Sequence, residues 1–335
     1  MDLSVPMVEV KMAKPRIALY WAASCGGCDV AVLDTNEKIL DIASIADIVF
    51  WPIALDFKYH HIEEMEDGSI DLCLFNGAIR SSEQQEIARL LRAKSKVMVA
   101  FGACACFGGI PALGNFTNRA EIMRRVYLEA PSNANTDGAL PQTLTKVREG
   151  ELVLPELFDT VSTLAQVVDV EYLMPGCPPP VDIILKVVQL FATGQLPPVG
   201  TIIASDKTLC DECERVKNEK KISRIWRPHE IIPDPERCLL EQGIICCGPA
   251  TRGGCGLRCL KANMPCRGCF GPPPGVIDQG AKLVSAIASI YQANSQEEIA
   301  RMVREIVDPA GTFYRFGMAD SLLKRKRIQP VERGS

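Results

Sequence analysis

The segment from residue 201 to residue 275 constrains this chain more than any other feature, because it holds nine of the fifteen cysteines. Six of them fall within CCGPATRGGCGLRCLKANMPCRGC, which runs from Cys246 to Cys269. Glycines and prolines are frequent here, and neither helical nor strand periodicity is sustained. Such a stretch has difficulty building an apolar core alone, so we expect bonds to the thiols to hold it together.

Disulfide bonds are not the bonds that we expect. The opening residues, MDLSVPMVEVKMAKPRIALYW, lack the basic, apolar and small-residue regions of a secretory leader, and they lack twin arginines. We therefore expect a cytoplasmic protein, in whose reducing surroundings structural disulfides are rare. An odd number of cysteines would also leave one thiol unpaired.

The composition argues against two classes of partner. A net charge of −4 does not suit a nucleic-acid-binding protein. No apolar run approaches the roughly 20 residues that a membrane helix needs. The hydrophobic share of 47% and the charged share of 23% are ordinary for a folded globular chain. We expect neither nucleic-acid nor membrane binding.

Before the cysteine-rich segment, short apolar runs alternate with helical patterns. The runs predict strands over residues 17–23, 48–55, 70–77, 97–103 and 170–176. The helical patterns cover residues 30–45, 83–93 and 178–194. This alternation predicts right-handed crossovers and a parallel sheet with helices on both faces. We predict an α/β fold with a five-stranded, flavodoxin-like sheet over residues 15–200, after an N-terminal extension over residues 1–14.

Four cysteines follow the ends of predicted strands. Cys25 and Cys28 come after the first strand in SCGGC, Cys104 after the fourth in GACACFGG, and Cys177 after the fifth in MPGCPPP. The carboxyl ends of parallel strands meet at one edge of the sheet, which is where such folds bind ligands. We therefore favour a metal site at this edge over four inert buried cysteines.

The second half of the chain offers two further sets of four thiols. One comprises Cys210, Cys213, Cys238 and Cys246, and the other comprises Cys255, Cys259, Cys266 and Cys269. A CxxC pair alone fits zinc and an iron–sulfur cluster equally well. The chain has only three histidines, so an all-thiolate supply at this density favours 4Fe–4S clusters over zinc. A zinc-dependent binding or scaffold protein is the alternative.

These motifs resemble those of the small, electron-transferring subunit of nickel–iron hydrogenases over nearly the whole chain. The matching motifs are SCGGCD, GACACFGGIPALGN, MPGCPPP, KTLCDEC, CCGPATRGGC and MPCRGC. The resemblance is strongest for the cytoplasmic archaeal group that reduces methyl viologen but not deazaflavin. It implies that residues 201–335 form an irregular iron–sulfur domain, which ends in helices over residues 282–293 and 295–307.

The resemblance implies three 4Fe–4S clusters and assigns twelve cysteines to them. The proximal cluster takes Cys25, Cys28, Cys104 and Cys177; the medial cluster takes Cys255, Cys259, Cys266 and Cys269; the distal cluster takes Cys210, Cys213, Cys238 and Cys246. In the periplasmic enzymes the first distal ligand is a histidine, and Cys210 stands in its place here. Their medial cluster often has only three irons because a proline replaces one cysteine, whereas Cys259 would supply that fourth ligand here. We expect Cys73, Cys106 and Cys247 to be buried neighbours rather than ligands.

The resemblance also implies a hydrogenase subunit without catalytic residues of its own, since the two further CxxC pairs of a nickel–iron site are missing. The chain would pass electrons from dihydrogen oxidation in a partner large subunit to an iron–sulfur adaptor and, in methanogenesis, to a heterodisulfide reductase. A deazaflavin-reducing hydrogenase and a sulfhydrogenase are alternatives. A complex I-like cluster subunit is less favoured, because it usually has adjacent cysteines in the first loop and no cysteine-rich extension.

Two charged features have plainer interpretations. Asp29 follows the first CxxC pair, where relatives often carry a glutamate near the subunit boundary. We interpret it as a carboxylate at a helix N-terminus rather than part of a proton path. The basic run from Lys324 to Arg327 is expected to be a solvated terminus.

Overall fold

A computed structural model describes residues 14–218 and 221–323 of the chain. Nearly all of the predicted N-terminal extension over residues 1–14, and the basic run from Lys324 to Arg327, lie outside these described residues. Within the described ranges, none of the helices has the length and apolar character that crossing a membrane requires.

Strands and helices alternate in the first half of the chain, and short helices dominate the second half. The strands of the described residues are β1 Arg16–Trp21, β2 Asp47–Phe50, β3 Ile70–Asn76, β4 Ile79–Ser81, β5 Ser95–Phe101, β6 Leu144–Val147, β7 Gly150–Val153, β8 Leu157–Ser162 and β9 Tyr172–Met174. The α-helices are α1 Gly27–Leu33, α2 Lys38–Ile45, α3 Tyr59–Glu63, α4 Ser82–Lys94, α5 Ala103–Phe107, α6 Arg119–Met123, α7 Val181–Ala192, α8 Leu209–Glu212, α9 Arg258–Lys261, α10 Gln279–Ile290, α11 Gln296–Glu305 and α12 Pro309–Phe313.

Five strands form the main sheet in the order β2-β1-β3-β5-β9, and every neighbouring pair is parallel. This is the flavodoxin-like strand order, so the predicted α/β fold is confirmed. The strands are apolar on both faces because a buried core lies on each side of the sheet. One core includes Tyr20 and Phe75, and the other includes Leu72 and Val187 of α7.

Two helix predictions differ from the structure in detail. The pattern over residues 30–45 forms two helices, α1 and α2, because Asn36 adopts a left-handed conformation (φ 53°) that interrupts the helix. Ser81 caps the start of α4 in a capping box, in which Ser81 and Gln84 exchange hydrogen bonds. The sequence offers the same spacing at Ser295 and Glu298, but at α11 only half of such a box forms: Ser295 accepts from the Glu298 amide, and the Glu298 carboxylate accepts from the amide of Asn294.

The cysteine-rich half has an apolar core of its own, which sequence patterns did not predict. Leu209, Ile244 and Leu260 from the irregular loops pack in one buried cluster with Leu283 and Ile287. The last two lie on α10, outside the segment over residues 201–275. Hydrophobic burial against α10 therefore contributes to the stability of this half beside any bonds to the thiols.

Candidate metal centres

The first four candidate thiols lie in three loops at the carboxyl edge of the main sheet. Cys25 follows β1 and Cys28 lies in the first turn of α1. Cys104 lies in α5, directly after β5, and Cys177 follows β9. The sheet order brings these loops together, as the sequence predicts for a parallel sheet.

The four thiols also share one electrostatic environment. Burial raises the pKa of Cys28 far above its usual range, and repulsion from the thiolates of Cys104, Cys177 and Cys25 raises it further. Burial and the neighbouring thiolate of Cys177 likewise raise the pKa of Cys104 to about 12. The thiols of Cys28 and Cys104 could therefore ionise together only beside a compensating positive charge, as bound iron would supply.

Two glycines are required where the backbone passes these sulfur atoms. A Cβ at Gly102 would overlap the Sγ of Cys28, and a Cβ at Gly109 would overlap the Sγ of Cys104. Both glycines also have positive φ angles, 88° and 56°, which other residues rarely adopt. The loops therefore bring bare backbone against the thiols, the approach that hydrogen bonds to cluster sulfur need.

Asp29, beside Cys28, is held in place by two buried hydrogen bonds. It is 3% exposed, and its carboxylate accepts from Trp51 Nε1 at 2.9 Å and from Asn76 Nδ2 at 2.7 Å. Ser24, which precedes Cys25, donates to Asn76 Oδ1 at 3.2 Å. This network joins the start of α1 to the end of β3 and thereby holds the loop that carries Cys25 and Cys28.

The distal candidates line one small cavity. Cys210 lies in α8, and Cys213, Cys238 and Cys246 contribute to the same cavity walls together with leucine side chains. Burial raises the pKa of Cys210 to about 12, and repulsion from the Cys246 thiolate adds to the shift. Gly248 borders the cavity, since a Cβ there would lie 2.9 Å from the Sγ of Cys210. The structure therefore gathers these four thiols around a common space.

The medial candidates, Cys255, Cys259, Cys266 and Cys269, are also neighbours. Burial raises the pKa of Cys269 to about 12, and the thiolates of Cys259 and Cys255 contribute to that shift. Burial also raises the pKa of Cys266, with Cys269 among the charges that raise it further. Cys259 lies on the short helix α9 and is exposed.

The three sets adjoin one another in the order proximal, medial, distal. After burial, repulsion from Cys177 is the largest contribution to the raised pKa of Cys269, and a hydrogen bond from the Cys177 backbone partly opposes it. At the other junction, the amide of Cys266 donates to the Sγ of Cys246 at 3.3 Å. A proximal candidate thus lies beside a medial one, and a medial candidate beside a distal one.

The three cysteines outside these sets are all buried. Cys73 lies within β3, and burial raises its pKa to about 12. Cys106 donates its thiol hydrogen to the Ala100 carbonyl at 3.2 Å. Cys247 lies near Arg267 and Arg315, whose charges oppose the effect of burial on its pKa. These placements fit the interpretation of all three as structural neighbours.

The donor sets consist of thiols alone, which is the chemistry that iron–sulfur clusters use. Across residues 14–218 and 221–323, no three Cys, His, Asp or Glu side chains converge in the way that one metal ion requires. A 4Fe–4S cluster makes a different demand, because four thiolates surround a cage and each binds its own iron. The all-cysteine sets, the distal cavity and the glycines beside the sulfur atoms fit that demand.

Comparisons with known proteins cover most of the chain. The family model described as "NADH ubiquinone oxidoreductase, 20 Kd subunit" matches residues 25–191. The iron-sulfur subunit of the F420-non-reducing hydrogenase of Archaeoglobus profundus is 39% identical over 317 residues, which span 93% of this chain and 98% of that protein. The corresponding subunit of the F420-non-reducing hydrogenase of Methanothermobacter thermautotrophicus is 36% identical over 321 residues, which span 93% of this chain and 97% of that protein. Among solved structures, a chain of an NAD+-reducing NiFe hydrogenase is 26% identical and has a TM-score of 0.47, with 55% of this chain and 94% of that chain covered.

Proposed function

Because this chain belongs to the family of F420-non-reducing hydrogenase iron–sulfur subunits, we propose that it conducts electrons within the enzyme through three 4Fe–4S clusters. As a small subunit of this family it is part of an oxidoreductase whose catalytic site lies in a partner large subunit. The membership confirms the resemblance that the cysteine motifs indicated. It also favours the non-deazaflavin-reducing group over the deazaflavin-reducing alternative.

Twelve cysteines hold the proposed clusters. The proximal set is Cys25, Cys28, Cys104 and Cys177, the medial set is Cys255, Cys259, Cys266 and Cys269, and the distal set is Cys210, Cys213, Cys238 and Cys246. Their mutual electrostatic contacts and the cavity among the distal thiols support this assignment. Clusters on these thiols would take up and release single electrons at potentials that burial and hydrogen bonds adjust.

The observation that carries the proposal is the contact between successive sets. Cys177 lies beside Cys269, and the amide of Cys266 donates to the sulfur of Cys246. Metal sites that only stabilise a fold do not need to lie next to one another. A continuous row of redox sites is what electron conduction requires, and Cys25 and Cys177 are exposed at its proximal end.

The finer parts of the proposal concern the route beyond this chain. Electrons enter at the proximal set from the large subunit and leave at the distal set to an iron–sulfur adaptor, which passes them to a heterodisulfide reductase. We place this assembly in the cytoplasm. The resemblance of the cysteine motifs supports both this acceptor and this location. The large subunit and the adaptor would supply the parts of the electron route that lie outside this chain.

Anaerobic purification with its large subunit tests the proposal directly. We expect about twelve irons and twelve acid-labile sulfides per chain, and reduction of all clusters by dihydrogen only when the large subunit is present. Zinc without sulfide in a colourless protein would refute it. Adding the adaptor and heterodisulfide reductase should couple dihydrogen oxidation to heterodisulfide reduction. If the two activities stay uncoupled, this acceptor is refuted, but electron transfer through the chain is not.

A further inference from the structure

An extended arm over residues 119–156 carries an unusual number of exposed apolar side chains. Its exposed large side chains include Leu144, Val147, Leu152, Val153 and Leu154, which are between 40% and 73% exposed. Scattered exposed leucines and valines are normal on a protein surface, but a contiguous run of them marks an interaction site. The arm therefore has the composition of a buried interface, yet these side chains are exposed in the described part of the chain.

The hairpin at the end of the arm forms no sheet with any other strand of the described chain. Strands β6 and β7 form a two-stranded sheet of their own, with Leu144 opposite Val153 and Thr145 opposite Leu152. Opposed pairs occupy alternate faces of such a sheet, so apolar residues lie exposed on both faces. A free two-stranded hairpin is marginally stable in water, so a further surface is needed to hold it.

The base of the arm is anchored at the edge of the sheet that carries the proximal thiols. Strand β8 leads out of the arm and pairs with β4, which begins three residues after β3 ends. Beside this pair, Ala78 forms a bridge with Ala23, two residues before Cys25. The Asn115 side chain, on the turn after the Cys104 helix, holds the backbone of Val161 at 2.9 and 2.8 Å. Both ends of the arm thus originate beside the proximal loops.

Exposed apolar side chains also continue around the proximal thiols themselves. Trp21 and Val30 flank the Cys25 loop and are 41% and 54% exposed, and Ile110, after the Cys104 helix, is 45% exposed. Cys25 and Cys177 are exposed within this rim. Apolar side chains are therefore exposed both on the arm and beside the proximal thiols.

We propose that the arm over residues 119–156 docks onto the hydrogenase large subunit and holds it against the proximal thiols. This inference rests on the proposed function, because the proximal set is the one that must face the catalytic subunit. The large subunit is the occupant that fits, since the base of the arm is anchored beside the proximal loops, and these loops carry exposed apolar side chains of their own at the entry point for electrons. The apolar side chains of the hairpin would become buried between the two subunits.

Paired substitutions test the docking. Leu152→Asp combined with Val153→Asp should weaken binding of the chain to the purified large subunit by about tenfold or more, because a few buried apolar residues dominate such interfaces. The matched control is Val199→Asp, because Val199 and Val153 are both 73% exposed. Val199 lies at the opposite edge of the sheet from the proximal thiols: the amide of its neighbour Gly200 donates a hydrogen bond to the Glu171 carbonyl, at the amino end of β9. The control should bind as the unchanged chain does. Equal affinities of the double variant and the control would overturn the proposal.

A second measurement separates docking from misfolding and from failure of the electron-transfer proposal. Hydrogen exchange of the unchanged chain should show amides of residues 144–153 protected in the complex and exposed in the free subunit. Unchanged exchange at the hairpin on binding would overturn the docking. Iron content and the cluster spectra report the proposed function independently, and both should be the same in the double variant and the Val199→Asp control.

Discussion

Replacing Gly248 with alanine tests the distal assignment while every thiol stays in place. Gly248 lies outside the left-handed region, so alanine can adopt its backbone conformation. The added methyl group would lie 2.9 Å from the Sγ of Cys210 and 3.7 Å from the Sγ of Cys246. Two proposed ligands of one cluster therefore face a single new carbon atom.

The size of the effect follows from the shorter of these contacts. An ordinary contact of a Cβ atom is 3.4–4 Å, so the methyl group comes at least 0.5 Å too close to the Cys210 sulfur. A thiolate bound to iron cannot move away freely. Overpacking of this kind costs about 1–3 kcal/mol. Retention of the distal cluster should therefore weaken by about 5- to 150-fold.

Release of iron to a chelator, followed with the spectra of the reduced clusters, measures this change. The matched control is Gly317→Ala, because Gly317 also lacks a positive φ and its nearest neighbour is an ordinary 3.4 Å away. We expect Gly248→Ala to lose one cluster early and to keep the other two as the control does. Equal retention of all clusters in both variants would refute the assignment of Cys210 and Cys246 to one site.

Three further predictions address neighbouring features. Cys246→Ala should remove one cluster's worth of iron and sulfide while Cys247→Ala removes none, and metal analysis showing the reverse would exchange their roles. Asp29→Ala leaves the Trp51 and Asn76 donors unpaired in a buried site, which should lower the free energy of unfolding in urea by about 1–3 kcal/mol for each donor. Compared with the iron-loaded protein, iron removal should add new protease cuts in residues 201–275 before it adds any in residues 15–200, and new early cuts spread evenly over both halves would contradict this order.

The main sheet could be predicted because its strands are buried on both faces. Runs such as residues 70–77 are mostly apolar, and β3 occupies Ile70–Asn76 almost as expected. The ends were less predictable where a turn follows at once. The run over residues 48–55 gives only Asp47–Phe50 as β2, because the chain turns after Trp51, where the Ala54 and Leu55 amides bond the Trp51 carbonyl.

The arm could not be predicted, for the opposite reason. Residues in β6 and β7 are exposed on both faces, so no alternation of apolar and polar side chains reveals them as strands. Their apolar residues belong to none of the buried cores of the described chain, so no burial imposes a period. A pattern that a second subunit selects cannot be recognised from one chain alone.

The grouping of thiols was predictable at the sheet and much less so beyond it. The strand ends bring Cys25, Cys104 and Cys177 to one edge of the sheet whatever the loop sequences are. The alternation of strands and helices is therefore enough to predict that these thiols lie together. The contact of Cys266 with Cys246 joins residues 20 positions apart in an irregular segment. No periodicity determines such a contact, and only the folded loops bring the medial and distal sets together.

The burial that defines these sites also explains why the thiols need a bound group. Burial raises the pKa of Cys104, Cys210 and Cys269 to about 12, so each of these thiols is protonated near neutral pH when nothing is bound. Binding of an iron–sulfur cluster would therefore release those protons, and the positive charge of the iron would offset the repulsion among the resulting thiolates. The packing of Leu209, Ile244 and Leu260 with α10 can order the surrounding loops, but it cannot offset the repulsion among ionised thiols. Hydrophobic packing and cluster binding are consequently separate and complementary sources of stability in this half of the chain.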